Sequence, residues 1–148
     1  MNSQNEMNLS FDAKSINEGF ARSAVAAFIL PLDPTIVELS DIKTAVSEAV
    51  TNCIVHAYGY SEGTIYINVK IQDNSRVIIR IRDKGCGIEN VKKAMEPLYT
   101  TGGEERAGLG FAVMQSFMDR VRVRSAQGKG TTVTMEKAII RRASPDRA

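Results

Sequence analysis

Apolar and polar residues alternate in several stretches of the chain, which is the pattern of strands with one buried face. Five runs of this kind are present: residues 7–11, 64–71, 76–82, 120–124 and 131–136. Turn-forming triplets at 73–75 (DNS) and 128–130 (GKG) separate the members of two pairs. The pattern therefore predicts a first strand that is followed, further along the chain, by two hairpins.

The first predicted helix follows the first strand. Ser15 and Glu18 form a capping-box pattern at its start, and Phe20, Ala24 and Phe28 are spaced to form its buried face. We expect this helix to end near the proline that comes next in the chain, because proline cannot continue a helix.

A second helix is predicted from Asp33 as its cap and Pro34 at its first position, and it should end at Gly59. A short helical piece near residues 89–96 and a helix over about 109–119 are predicted between the two hairpins. The resulting order is β-α-α-β-β-α-α-β-β. Because the helices are clustered and do not alternate with the strands, this order favours a two-layer α/β sandwich over a doubly wound parallel fold.

The second predicted helix carries a polar stripe. Glu48, Asn52 and His56 follow one another at a spacing of four, so they share one face of the helix. An amide oxygen such as that of Asn52 suits Mg²⁺, which commonly binds jointly to protein and nucleotide phosphates. Glu48 could then accept a proton from an attacking hydroxyl or water. A solvated helix face is the alternative, and for His56 a structural role is preferred to a catalytic one.

The segment D83-K-G-C-G87 directly follows a predicted strand. Gly85 and Gly87 let the backbone turn sharply and let another group approach closely. Asp83 at the strand end offers an anionic acceptor that would suit the exocyclic amine of adenine. A plain Asp-Gly turn is the alternative interpretation of this segment taken alone.

A glycine-rich segment runs from Thr100 to Gly110. Gly108 and Gly110 precede a predicted helix, where free N–H groups and the helix dipole could cradle phosphates. The segment is neither a Walker loop nor a dinucleotide fingerprint, because both of those spacings are missing. A flexible hinge is the alternative.

Composition restricts the class of protein. The chain has 148 residues, 43% hydrophobic and 24% charged, as expected of one globular domain, which we place at residues 1–138. Residues 139–148 form a basic tail, and the net charge of +2 is too small to indicate nucleic acid by itself. No apolar run approaches the roughly 20 residues of a membrane span, and the N-terminus does not resemble a secretory signal. Cys53 and Cys86 form no C-x-x-C motif, so a cytoplasmic, reduced protein is expected.

Taken in order, the three motifs carry a resemblance. E48-A-V-T-N52 is similar to the N box of the GHKL ATPase/kinase superfamily, and D83-K-G-C-G87 and G108-L-G110 are similar to its two glycine boxes. The small size resembles the bacterial serine kinases of this superfamily that regulate sigma factors. F20-A-R22 and P97-L-Y-T-T101 extend that resemblance, which covers about residues 5–138.

The resemblance implies a Bergerat-type ATP-binding fold, with a mixed, mostly antiparallel sheet covered by helices on one face. It implies ATP or ADP with Mg²⁺ as cofactors, with Asn52 binding the metal and Asp83 holding adenine with help from Thr132. It also implies that nucleotide contacts come from a larger set of positions: Asn52, Asp83, Gly85, Gly87, Thr100, Thr101, Arg106, Gly108, Gly110 and Thr132. Arg106 resembles the arginine of the mobile lid that contacts the terminal phosphate.

The partners are likewise implied by the resemblance. Glu48 would be the general base toward a serine on an anti-anti-sigma protein, and Arg22 would contact both that protein and a sigma factor of the sporulation type. A homodimer is expected, without direct contact to nucleic acid or membrane. Three alternatives remain open: a kinase of the general stress response, a sigma-binding module without catalysis, and an unrelated α/β domain with coincidental glycines. Glu48 distinguishes the second, because a pure binding module needs no carboxylate there.

Overall fold

The computed structural model describes residues 5–73, 75–95 and 104–140. Five strands occur in this part of the chain: β1 (Asn5–Asp12), β2 (Thr64–Gln72), β3 (Arg76–Asp83), β4 (Arg120–Ala126) and β5 (Gly130–Ala138). They form one sheet in the order β1-β2-β3-β5-β4, in which all neighbouring strands are antiparallel. The predicted strands and hairpins are confirmed.

The helical elements of the described residues follow the predicted order. They are α1 (Ile16–Ile29), a 3₁₀ turn (Leu30–Leu32), α2 (Ile36–Asn52), a π-helical turn (Cys53–Ala57), α3 (Val91–Ala94) and α4 (Glu104–Phe117). None of the helices in the described part of the chain is long and apolar enough to cross a membrane. One sheet together with this set of helices confirms the predicted two-layer α/β architecture.

The core lies between one face of the sheet and the helices. β2 turns Ile65, Ile67, Val69 and Ile71 inward, as its alternation predicts, and all four are buried. The same cluster contains apolar side chains from β3, β5, α1, α2 and α4. Fully burying one such side chain stabilises the fold by about 1.5–3 kcal/mol, so this face sets the register of the strands.

The opposite face of the sheet is polar and strongly basic. A shallow groove of about 850 Å³ runs across it, and cations line much of it. These cations are Lys70, Arg80, Arg82, Arg122 and Arg124. Functional residues that point to the core side of the sheet are therefore separated from this groove by the sheet itself.

The apolar face predicted for α1 lies at the border of the core, where Phe28 packs against the buried cluster. Ala21, Val25 and Ile29 are buried, whereas Phe20 is 52% exposed. The ring of Phe20 packs edge-to-face on Phe11 of β1, with 6.2 Å between the ring centroids. An aromatic contact at the border of the core therefore holds Phe20, and the smaller residues face the sheet.

The predicted start of α2 is also wrong, because Asp33 and Pro34 precede the helix. Thr35 is the cap: its hydroxyl accepts a hydrogen bond from the Glu38 N–H at 3.0 Å, and the Glu38 carboxylate accepts one from the Thr35 N–H at 2.8 Å. At Ser15 the predicted capping box does not form. The reciprocal bonds at Thr35 satisfy two orphan donors, which is why the helix begins there.

The helix α4 begins five residues earlier than predicted, at Glu104. Gly108 and Gly110 therefore lie inside the helix and do not form a loop in front of it. The first turn contains glutamates and an arginine, which are good helix formers, and glutamates are favoured near a helix N-terminus. Each glycine inside the helix still costs roughly 1 kcal/mol, which the packing of α4 against α2 offsets.

Candidate functional site

The last two turns of α2 position the candidate catalytic and metal-binding side chains. Glu48 and Asn52 are both half-buried, one helical turn apart. Among the described residues, the side-chain nitrogen of Asn52 is the buried polar atom that has no hydrogen-bond partner. An unsatisfied buried donor costs about 1–3 kcal/mol, so its persistence in a folded protein points to a functional role.

Gly110 of α4 lies directly against this pair. A Cβ atom at Gly110 would lie 3.2 Å from both amide atoms of Asn52 and 3.3 Å from Oε2 of Glu48. The missing side chain thus allows α4 to approach α2 at the two polar residues. Gly110 therefore lies at the site as the sequence predicted. It does so as a residue of α4 and not as part of a loop in front of that helix.

The regular α-helical spacing of the polar stripe ends at Asn52. After Asn52 the chain forms a π-helical turn, in which the Tyr58 N–H donates to the Cys53 carbonyl at 3.0 Å. This wider turn changes the angular spacing, so His56 no longer follows Asn52 by one regular α-helical turn. Glu48 and Asn52 are therefore the two members of the stripe that one regular helical turn relates.

Asp83 lies at the end of β3 and is only 5% exposed. Its Oδ1 atom accepts hydrogen bonds from the N–H groups of Gly85 at 2.9 Å and Thr131 at 3.2 Å. Burial raises the pKa of the Asp83 carboxyl, and hydrogen bonds from Gly85, Cys53 and Thr131 offset part of this effect. A buried carboxyl fixed by two backbone donors at one oxygen can offer its other oxygen as an acceptor.

Cys53 connects the two halves of the site. Burial raises the pKa of the Cys53 thiol well above its usual range, and the neighbouring charge of Asp83 adds to this rise. The neutral thiol lies close enough to the Asp83 carboxyl to influence its pKa. Because Cys53 directly follows Asn52, it places the candidate metal ligand near the candidate adenine acceptor.

Gly85 and Gly87 allow protein backbone to pack against the Asp83 loop. A Cβ at Gly85 would collide with the carbonyl of Ala57 at the end of the π-helical turn. At Gly87, where φ is +77°, it would collide with the carbonyl of Ala126 at the β4–β5 turn. The glycines are thus required for the loop to dock on two other elements, in addition to making the turn.

Thr132 does not pair directly with Asp83, but the two residues line one open pocket at this end of the sheet, so the predicted nucleotide contact of Thr132 stays a prediction. Thr131 pairs with Asp83 across β3 and β5, whereas Thr132 pairs with Arg82 and lines the basic groove on the other face. Thr131, which the sequence interpretation missed, is buried and donates its N–H to Asp83. The register between β3 and β5 decides between the two threonines, and no local sequence signal reports that register.

Arg22 lies on α1 and faces α2. Its guanidinium pairs with Glu18 at 2.5 Å and contacts the Ser47 hydroxyl at 3.4 Å. Arg22 and Glu48 line the same open groove of about 440 Å³ between the two helices. The candidate partner-binding residue and the candidate base therefore share one surface.

All of the predicted nucleotide contacts stay predictions, and four of them concern Thr100, Thr101, Arg106 and Gly108. Thr100 and Thr101 lie outside the described residues. The backbone of Arg106 and Gly108 belongs to α4, which places them up to one turn from Gly110.

The residues present fit Mg²⁺ shared with a nucleotide. In the described part of the chain no three His, Cys, Asp or Glu side chains cluster as a metal cage. Mg²⁺ needs no such cage, because it commonly takes one or two protein oxygens together with phosphates and water. The amide of Asn52, buried and with a free nitrogen, can turn its oxygen toward such an ion.

The architecture is that of a histidine kinase-like ATPase domain. A family model with that description matches residues 11–137. Among solved structures, the RsbU and RsbW domains of a Mycobacterium tuberculosis protein superpose with a TM-score of 0.66 at 18% identity, covering 92% of this chain and 32% of that one. The catalytic domain of histidine kinase ThkA superposes with a TM-score of 0.56 at 15% identity, covering 90% and 97%. At these identities the two structures support the fold alone.

Sequence comparison gives a narrower assignment. Anti-sigma F factor from Caldanaerobacter subterraneus subsp. tengcongensis is 59% identical over 140 residues, covering 94% of this chain and 97% of that protein. Anti-sigma F factor from Priestia megaterium is 52% identical over 138 residues, covering 92% and 94%. The chain belongs to the anti-sigma F factor family of histidine kinase-like ATPase domains.

Proposed function

We propose that the protein is an ATP-dependent serine-protein kinase that also sequesters a sporulation sigma factor in the cytoplasm. Its phosphorylation substrate is a serine of the anti-anti-sigma protein that opposes this sequestration. The observation that carries the proposal is the position of Glu48. Its carboxylate lies at Gly110, beside Asn52, and also lines the groove that contains Arg22.

The residues beside Glu48 at the contact between α2 and α4 support nucleotide chemistry. Asn52 supplies an oxygen for Mg²⁺, which when bound would neutralise charge on the phosphates. Asp83, fixed by Gly85 and Thr131, accepts the adenine amine with its remaining oxygen. Glu48 takes the proton of the serine hydroxyl while that oxygen bonds to the terminal phosphorus of ATP. The bond from this phosphorus to ADP breaks, which yields phosphoserine and ADP.

The groove that Glu48 shares with Arg22 supports partner binding. Large apolar side chains are exposed near the groove: Ile36 is 87% exposed at the start of α2, and Val37 beside it is 68% exposed. Arg22 remains 40% exposed and can pair with a carboxylate of a partner. Apolar contacts beside an arginine are typical of residues that carry binding energy in interfaces. A partner that docks there would bring its serine toward Glu48.

The test is a mixture of the purified protein, labelled ATP with Mg²⁺, and a candidate anti-anti-sigma protein. We expect label on one serine of that partner, and no label when that serine is replaced by alanine. Capture of a sporulation sigma factor is measured in parallel, with a general-stress sigma factor as the competitor. Sigma capture without any transfer of label would favour a binding module, and preference for the competitor would favour the stress-response alternative.

A homodimer is part of the same proposal. Its support is the membership of the anti-sigma F factor family, and its test is the mass of the free protein in solution. A mass of one chain at micromolar concentration would remove the dimer from the proposal without affecting the kinase.

A further inference from the structure

The hydroxyl of Tyr58 joins two segments that are distant in sequence. It donates a hydrogen bond to the Thr64 carbonyl at 2.6 Å and accepts one from the Lys84 N–H at 2.7 Å. Thr64 begins β2, and Lys84 is the residue directly after Asp83. The single donor and an acceptor site of the phenol are both used, and none of the roles proposed above uses this residue.

The Tyr58 ring is held in place independently of its hydroxyl. A Cβ atom at Gly63 would lie 2.5 and 2.6 Å from ring carbons of Tyr58, so the ring lies flat against the glycine backbone. The π-helical turn before Tyr58, closed by its N–H on the Cys53 carbonyl at 3.0 Å, sets the direction in which the side chain leaves the backbone. The hydroxyl therefore sits at a fixed point beside the loop.

Several bonds attach the loop after Asp83 to the end of the α2 region. Besides the Lys84 N–H on Tyr58, the Cys86 N–H donates to the Ala57 carbonyl at 3.0 Å. The Cys86 thiol also donates to the His56 carbonyl at 3.3 Å. Of these bonds, the one from Lys84 to Tyr58 is the nearest to Asp83 in the sequence, so it fixes the first residue after β3.

Tyr58 is suited to this double bond because it remains a neutral phenol. Burial raises its pKa, the hydrogen bond accepted from the Lys84 N–H acts in the opposite direction, and the charge of Asp83 adds to the rise. A phenolate could not donate to the Thr64 carbonyl.

We propose that Tyr58 is a positioning residue for adenine recognition, which fixes Lys84 and so aims the Asp83 carboxyl at the exocyclic amine. The inference rests on the proposed role of Asp83 in nucleotide binding. It assigns a task to the π-helical turn, because that turn is what directs Tyr58 to the loop.

The test compares ADP with IDP, in which a carbonyl replaces the adenine amine. Tyr58→Phe keeps the ring on Gly63 and removes the bridging oxygen. We expect ADP affinity to fall by roughly threefold to tenfold, the worth of one hydrogen bond, while IDP affinity changes by less than about twofold. Tyr60→Phe is the matched control, because Tyr60 is 68% exposed and lies two residues away. It should leave both affinities unchanged.

A double-mutant cycle separates the two possible failures. If Tyr58 acts through Asp83, Tyr58→Phe should cause no further loss of ADP preference in an Asp83→Asn background. If Asp83→Asn itself keeps the full preference for ADP over IDP, the adenine role of Asp83 is wrong. If Asp83→Asn abolishes the preference but Tyr58→Phe retains it, Tyr58 is merely structural and the inference is overturned.

Folding is checked by thermal melting of each variant. Should Tyr58→Phe not fold, Gly63→Ala provides a second variant, since the added methyl group must displace the ring while the hydroxyl is kept. A reduced ratio of ADP to IDP affinity in Gly63→Ala would support the inference, and an unchanged ratio would contradict it.

Discussion

Gly110 of α4 lies against Asn52 of α2, so closely that a methyl group there would stand 3.2 Å from both amide atoms. Two elements separated by more than fifty residues thus meet at the candidate metal ligand. The relationship explains why a glycine occupies a helical position where alanine would be the better helix former.

Gly110→Ala should therefore weaken nucleotide binding although it raises helix propensity. The methyl group must displace Asn52 or Glu48, and we expect ATP affinity to fall by roughly fivefold or more. Calorimetric titration with MgATP measures this. Gly19→Ala is the matched control, because its Cβ would meet only Arg22 at an ordinary 3.8 Å. Equal ATP affinity in both variants would show that the contact is unimportant.

Asn52→Ala should separate stability from Mg²⁺ binding. Because the amide nitrogen has no partner, its removal should not lower the melting temperature. ATP affinity should fall, and it should no longer respond to Mg²⁺. Titrations with and without a chelator, run on the parent and on the variant, measure both effects. A variant that keeps the Mg²⁺ dependence of the parent would remove Asn52 from the metal site.

Glu48→Gln should abolish chemistry and spare binding. The amide has the size of the carboxylate but cannot accept the serine proton, so phosphotransfer should fall by about 10²–10⁴-fold. Single-turnover transfer of label measures it, with ADP affinity and sigma capture as the unchanged quantities. Arg22→Ala should show the reverse pattern, with partner capture lost and ATP affinity kept. A Glu48→Gln variant that transfers at the parent rate is incompatible with a general base at this position.

The pH dependence of stability should identify Asp83. Because burial raises its pKa, the folded chain holds this proton to a higher pH than the unfolded chain does. The resulting stabilisation is fully present below the unfolded pKa, about 3.9, and is lost as the pH rises through the raised folded pKa. The difference in unfolding free energy between the parent and Asp83→Asn should therefore shift against the parent over this window. Denaturant titrations across it provide the measurement, and a constant difference would refute the assignment.

Thr35→Ala should destabilise the fold by about 0.5–2 kcal/mol, because it removes the hydroxyl that accepts the Glu38 N–H at the start of α2. Ser15→Ala is the control, since Ser15 makes no side-chain capping bond in α1. Urea unfolding of the two variants measures the difference. Comparable losses in both would mean that the capping box at Thr35 contributes nothing specific.

The sequence by itself determined the strands, the order of elements and the positions of Glu48, Asn52 and Asp83. The alternation of apolar and polar residues at Ile65, Ile67 and their neighbours is a local property of the chain. In a sheet with one buried face, the apolar residues of such a strand must point to that face. The spacing of four between Glu48 and Asn52 is likewise local, because one turn of helix sets it.

Only the tertiary structure decided which threonine reaches Asp83, where α4 begins and which side of α1 is buried. Each of these depends on a partner far away in the chain: the β3–β5 register selects Thr131, the contact with Asn52 fixes Gly110, and Phe11 holds Phe20 at the border. Local propensities differ by less than about 1 kcal/mol per residue, whereas a buried contact or register is worth more. Where the two disagree, packing between distant segments prevails.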